Sequence, residues 1–150
     1  MTTETQTETE TVTRTGPPRL RVLVVDREKE IRDILLPWLF DEGFDCREAG
    51  DGQEAIDLLA TGLRIDLVTS CLLMPNVDGY SLLLYVKKHH PRIPFVLVTA
   101  IHDAEVREHT LKNGADGYLL KPFTREEFVT FVRRALATSP KRASQHTGSR

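Results

Sequence analysis

The stretch LRVLVVDREKEIRDILLPWLFDEG, Leu20–Gly43, changes its hydrophobic period half-way, and the fold follows from that change. Leu20 to Val25 is a short β-branched run, too apolar to leave one face in water, as in a strand buried on both sides of a parallel sheet. From Glu28 to Asp41 the apolar residues Ile31, Ile34, Leu35, Trp38 and Leu39 recur at helical spacing. Gly43 stands where a C-terminal glycine ends a helix. Pro37 falls inside, where it removes a backbone bond, and a kink or split is expected there.

Outward from this unit the alternation repeats. Phe44 to Ala49 reads as a strand, and Asp51-Gly52 leads into a helix over Gln53–Thr61. Ile65 to Ser70 is the third strand, followed by a loop with Met74-Pro75-Asn76 and a helix from Asp78, its cap, to about His89. Phe95 to Thr99 is the fourth strand, and Asp103 caps a helix reaching Asn113, which Gly114 ends. Gly117 to Leu120 is the last strand. Thr124-Arg125-Glu126-Glu127 then forms a capping box, in which hydroxyl and carboxylate satisfy each other's backbone N–H groups, opening a helix to about Ala137. Five strands alternating with five helices call for right-handed crossovers and a parallel sheet covered on both faces, an α/β fold. Chemistry in such sheets sits at the carboxyl ends of the strands. The residues there are Asp26, Arg27, Cys71, Thr99, Ala100 and Lys121.

The folded domain is assigned to 19–138. Residues 1–18, Thr/Glu-rich and closing on Gly16-Pro17-Pro18, and residues 139–150, polar and containing Pro140, have too little apolar surface to bury and are read as disordered tails. The 150 residues suit one domain with an adequate core. A net charge of −2 supplies no basic face for nucleic acid. No apolar run approaches the roughly 20 residues a membrane span needs, and no apolar segment marks a secretory leader. Cys46 and Cys71 are too few for a disulfide framework, so a cytoplasmic setting is expected.

Leu23-Val24-Val25-Asp26, Asp66-Leu67-Val68 through Met74-Pro75, Val98-Thr99-Ala100 and Gly114 to Phe123, in this order and spacing, resemble the receiver domain of two-component response regulators. The resemblance covers about Leu20 to Ala137 and implies a flavodoxin-like (βα)5 sheet in strand order 2-1-3-4-5. It also implies phosphoryl transfer from a histidine kinase to an aspartate closing the third strand. Mg²⁺, a hard ion that wants oxygen ligands, would be held there by an acidic pair after the first strand. In the family that aspartate stands four residues before a proline, as Asp-x-x-Met-Pro, and counting back from Pro75 places the position at Cys71. The acidic pair is represented by Asp26 and Arg27, the phosphate-contacting Thr by Thr99, its small neighbour by Ala100 and the Lys by Lys121. Thr99 and Tyr118 occupy the positions of the family's coupled switch.

The two departures act together. A thiol is a poor Mg²⁺ ligand and an Arg27 guanidinium repels the ion, so Mg²⁺ binding is expected to be weak or absent. A non-enzymatic pseudo-receiver follows, with no paired catalytic carboxylates and no glycine-rich phosphate loop. Only about a dozen polar residues follow the last helix, so a stand-alone domain with protein–protein output is expected. The resemblance directs attention to 104–137, where Arg107, Lys112 and Asp116 would supply polar contacts to a histidine kinase, another signalling protein or a second copy.

Cys71 has two readings. It is an inert, half-buried filler, or a redox-sensing thiolate whose pKa Lys121 and Arg27 lower, with His102 as a conceivable partner. Arg27 either points to solvent and pairs with Glu28 or Glu30, or replaces the metal's charge beside Asp26. Lys121 must find Asp26 or water. A receiver phosphorylated instead at Ser70 or Thr69 is a further alternative, although strand alternation turns Ser70 away from Cys71. Cys46 is assigned to the core and is kept from Cys71 by the first strand. His89 and His90, adjacent in sequence, point different ways and make no metal site. Leu82, Leu83 and Leu84 read as a core stripe with one member free for a partner.

Overall fold

The computed structural model describes residues 18–138, so the two tail assignments lie outside the described residues, apart from Pro18. In chain order the elements are β1 (Arg21–Val25), α1 (Lys29–Asp41), β2 (Asp45–Ala49), α2 (Gly52–Ala60), β3 (Leu67–Ser70), α3 (Gly79–His89), β4 (Phe95–Thr99), α4 (Ala104–Lys112), β5 (Gly117–Leu120) and α5 (Arg125–Ala137). The strands form one parallel sheet in the order β2-β1-β3-β4-β5.

Strand periodicity divides the core into two layers. Leu23, Val25, Val68, Phe95 and Leu97 point to one side, where Ala55, Leu59, Leu82, Leu83 and Val86 of α2 and α3 cover them. Val22, Val24, Leu67, Val96 and Val98 point to the other, beneath Leu35 and Leu39 of α1 and Phe128, Val132 and Leu136 of α5. The central strands are therefore buried on both sides, as their unbroken apolar runs require.

The helix starts obey the cap chemistry read from the sequence. Asp51, Asp78 and Asp103 accept backbone N–H bonds from Glu54, Ser81 and Glu105 at 2.8 Å each. Both halves of the Thr124–Glu127 box are formed. Pro37 does not split α1, which runs through it from Lys29 to Asp41. Pro37 lies on the exposed face, so the residue-33 carbonyl deprived of its bond is open to water. Buried Leu35 and Leu39 meanwhile hold the helix to the sheet on either side. Of the leucine run, Leu82 and Leu83 are in the core and Leu84 is exposed. Among the described residues no helix is long and apolar enough to cross a membrane.

The loop between β3 and α3 is held tightly. Asn76 adopts φ 68° and donates through Nδ2 to Asp51 at 2.9 Å, while the Gly79 N–H bonds the Leu72 carbonyl at 2.7 Å. A Cβ at Gly79 would stand 2.2 Å from the Cys71 carbonyl oxygen, a backbone atom that cannot step aside. Gly79→Ala is expected to cost about 1–3 kcal/mol through this overpacking, read as a lowered urea midpoint with unchanged slope.

Candidate functional site

The ends of β1, β3, β4 and β5 converge on one cavity of about 230 Å³ lined by Asp26, Arg27, Cys71, Thr99, Ala100 and Lys121, with Glu28, Leu73 and Ile101. All six strand-end residues singled out in the sequence are thus brought together. The register explains it. Val25 pairs with Ser70, so Asp26 and Cys71 come next in line, and the Cys71 N–H bonds the Val25 carbonyl at 3.0 Å. On the far side Thr99 pairs with Leu120, and the Lys121 N–H bonds the Thr99 carbonyl at 2.9 Å. The Lys121–Pro122 peptide is cis.

Asp26 is 2% exposed, and such a carboxylate needs partners. Lys121 Nζ lies 3.0 Å from its Oδ2, and the Glu28 N–H donates to Oδ1 at 2.9 Å. Arg32, a residue the sequence reading passed over, donates Nη1 to the Asp26 backbone carbonyl at 2.6 Å while its Nε pairs with Glu48. The sign of such a role is an arginine nearly two turns beyond the strand end, on the side of the helix facing β2. Arg27 is exposed, lines the cavity and forms no ion pair among the described residues. Neither Glu28 nor Glu30 claims it.

Cys71 is 5% exposed. Its thiol donates to the Leu73 carbonyl at 3.5 Å, and Sγ lies 3.7 Å from Met74 Sδ. Burial, with the Asp26 charge adding to it, pushes the thiol pKa up, and the Arg27 N–H, Lys121 and the Arg27 guanidinium do not offset this. The expectation that the two cations would favour thiolate is therefore corrected: depth and the nearby anion outweigh them. His102 is exposed and does not line the cavity, so no Cys–His pair forms. Cys46 is half-buried against the α1–α5 layer, and burial lifts its thiol to about 11. Both cysteines are free, with β1 between their strands. Thr69 and Ser70 are each 1% exposed, and the Ser70 hydroxyl donates to the Cys71 carbonyl.

Thr99 and Tyr118 meet at one loop residue. Thr99 Oγ1 accepts from the Ile101 N–H at 3.1 Å, and the Tyr118 hydroxyl donates to the Ile101 carbonyl at 2.9 Å. Arg107 and Lys112 are exposed on α4. Asp116 is also exposed, and its carboxylate accepts the Phe95 N–H at 2.9 Å and pairs with Lys87 at 3.0 Å. Among the described residues no three His, Cys, Asp or Glu are grouped to hold a metal ion, and His89 and His90 lie against the Tyr85 ring.

Residues 22–133 match the response regulator receiver domain. The chain belongs to that family. This receiver is 34% identical to the probable transcriptional regulator ycf27 of Porphyridium aerugineum, over 84% of its own length and 52% of the relative's. It is 35% identical to the DNA-binding transcriptional regulator NtrC of Escherichia coli K12, over 77% of its own length and 24% of NtrC's. It therefore spans from about a quarter to about half of the length of these relatives. Among solved structures, the Francisella response regulator 1452 receiver domain superposes with TM-score 0.73 at 32% identity, covering 79% of this chain and 97% of that one. The Vibrio cholerae chemotaxis response regulator CheY4 does so with TM-score 0.73 at 29% identity, covering 79% and 99%.

Two outcomes test the site. With Cys46 replaced by Ala, native Cys71 is expected to react with iodoacetamide more slowly at neutral pH than in the urea-unfolded chain. Its rate should rise only above the pH at which a free thiol ionises. Lys121→Ala leaves the buried Asp26 carboxylate without its cation and is expected to lower stability by about 3 kcal/mol, measured by chemical denaturation.

Proposed function

We propose that this receiver works in signal transduction without accepting a phosphoryl group at the carboxyl end of β3, and that it acts by protein–protein contact. The observation carrying this reading is a buried thiol at the position where the family's acceptor aspartate is expected, beside an Asp26 carboxylate already taken by Lys121. A protonated sulfur offers no oxygen nucleophile to a phosphoryl donor.

The residues present do not fit Mg²⁺. That ion needs several hard oxygen donors in near-octahedral array. Here the single carboxylate of the first strand end is bonded to an ammonium, its neighbour is a guanidinium and the third strand ends in sulfur. No step through a metal is drawn. With no phosphate to bind, Lys121 keeps Asp26.

The output surface we assign is the α4–β5–α5 side, where Arg107 and Lys112 are free for polar contacts to a histidine kinase, another signalling protein or a second copy. A cytoplasmic setting goes with these partners. A thiol-sensor role for Cys71 is disfavoured by its raised proton affinity. Phosphorylation at Thr69 or Ser70 is disfavoured by their burial.

Intact mass after incubation with Mg²⁺ and acetyl phosphate decides the matter. The mass is expected to stay unchanged while an aspartate-bearing receiver treated alongside gains one phosphoryl group. A gain in this chain would overturn the reading. The double variant Cys71→Asp, Arg27→Asp is expected to gain the phosphoryl group that the parent does not.

A further inference from the structure

We infer that the cleft between the amino end of α3 and α4, overhung by Leu73, is a docking site for a short partner segment carrying an apolar side chain beside a basic one. The inference rests on the reading that this receiver acts by protein contact, but it concerns a different face from α4–β5–α5. The cleft measures about 530 Å³, within the roughly 300–1,000 Å³ typical of binding clefts. Leu73 is 59% exposed, and a lone exposed leucine would need no explanation. This one stands where three recesses adjoin: the strand-end cavity, the α3–α4 cleft, and a depression shared with Arg27, Met74, Pro75 and Asp78. A segment laid across them would meet the leucine from all three sides.

The cleft is built to be kept open. Leu72 and Val106 form its apolar floor, and Tyr80 on α3 reaches His109 on α4 by a 3.0 Å hydrogen bond with the rings 5.0 Å apart. That bridge sets the spacing of the two helices at the surface. The rim is acidic. Asp78 and Glu105 both line the cleft, are exposed, and take part in no ion pair among the described residues. Arg107, the nearest cation of α4, acts on Tyr118 of β5 and so lies toward the other side of the helix. Apolar surface bordered by two carboxylates that no cation neutralises, one of them also capping α3, matches a leucine, isoleucine or phenylalanine flanked by lysine or arginine. The aliphatic stem of the basic residue would cover apolar wall while its head meets the rim.

The test is a random peptide library displayed on phage and selected against the full chain, followed by fluorescence anisotropy of the selected peptides. Enrichment of an aliphatic or aromatic residue next to Lys or Arg is expected. Leu73→Asp and Glu105→Lys should each weaken binding by at least about tenfold, as loss of an anchor does. Lys88→Glu, a charge reversal at the far end of α3, should leave affinity within about twofold. All three positions are exposed, and unchanged thermal midpoints would confirm that the variants fold. The inference is overturned by no enrichment, by acidic or charge-indifferent peptides, or by loss confined to Arg107→Glu with the Leu73 and Glu105 variants binding as before. A chain that binds such peptides at the cleft yet gains a phosphoryl group from acetyl phosphate would sustain this inference and sink the phosphorylation-independent reading.

Discussion

The ion pair between Asp26 and Lys121 is the constraint on which the rest of the site depends. A carboxylate 2% exposed must be neutralised or hydrogen-bonded, and its cation arrives from the end of β5, two strands away from β1's neighbour β3. The bond therefore arches over the ends of β3 and β4, where Cys71 and Thr99 sit. Such a reach is open only while nothing negative at the end of β3 competes for the ammonium. A protonated thiol meets that condition, and burial first, with the Asp26 charge adding to it, raises the thiol's proton affinity against the opposing pull of Lys121. The charged residues lining the pocket are two carboxylates, Asp26 and Glu28, against the Lys121 ammonium and the unpaired Arg27 guanidinium.

That arrangement also explains why the β3–α3 loop is so firmly clamped. Cys71 is fixed from below by the Val25 carbonyl and from ahead by Gly79, whose missing Cβ lets α3 begin against the Cys71 carbonyl. Asn76 ties the same loop to the N-cap of α2. The Cys71 backbone is held by the Val25 carbonyl and packed against Gly79, and burial is the leading cause of the thiol's raised proton affinity.

Much of this was legible in the sequence, and the physical reason is periodicity. Strands β4 and β5 and the α5 capping box fall where apolar runs and cap residues place them, and the strand-end rule for parallel sheets gathered six residues that do share a cavity. What was not legible depends on distances between elements far apart in the chain. The charge balance around Cys71 could be listed from sequence, but whether cations or burial win is set by a depth that only packing fixes. Asp116 lies in a run of loop-like residues, and nothing local reveals that its acceptor duty belongs to Phe95, 21 positions earlier. Pro37 is a breaker by its own chemistry, yet it does not split α1, since the carbonyl it deprives faces water. Leu73 looks like one more loop residue until the recesses around it are seen together.

Signalling without a phosphoryl group requires that partner contact alone be able to move the switch elements, and the energies permit it. Thr99 and Tyr118 each hold the loop after β4 by one hydrogen bond to Ile101, and such bonds contribute about 1 kcal/mol each. Helix α4, which that loop feeds, has Thr110 as its buried residue, with Val106 and Leu111 only partly covered. Ordinary coupling energies of about 1–3 kcal/mol are therefore comparable with what holds the segment in place. In a receiver that takes phosphate, this energy comes from new contacts to the phosphoryl oxygens. Here Lys121 is bonded to Asp26, so under the proposed reading the energy would enter through a surface, and Ile101 and Leu73 line the same cavity at the junction of pocket and cleft. A segment docked over Leu73 as proposed would lie at the rim of the cavity that Ile101 also lines, and Ile101 is the residue bonded by both Thr99 and Tyr118.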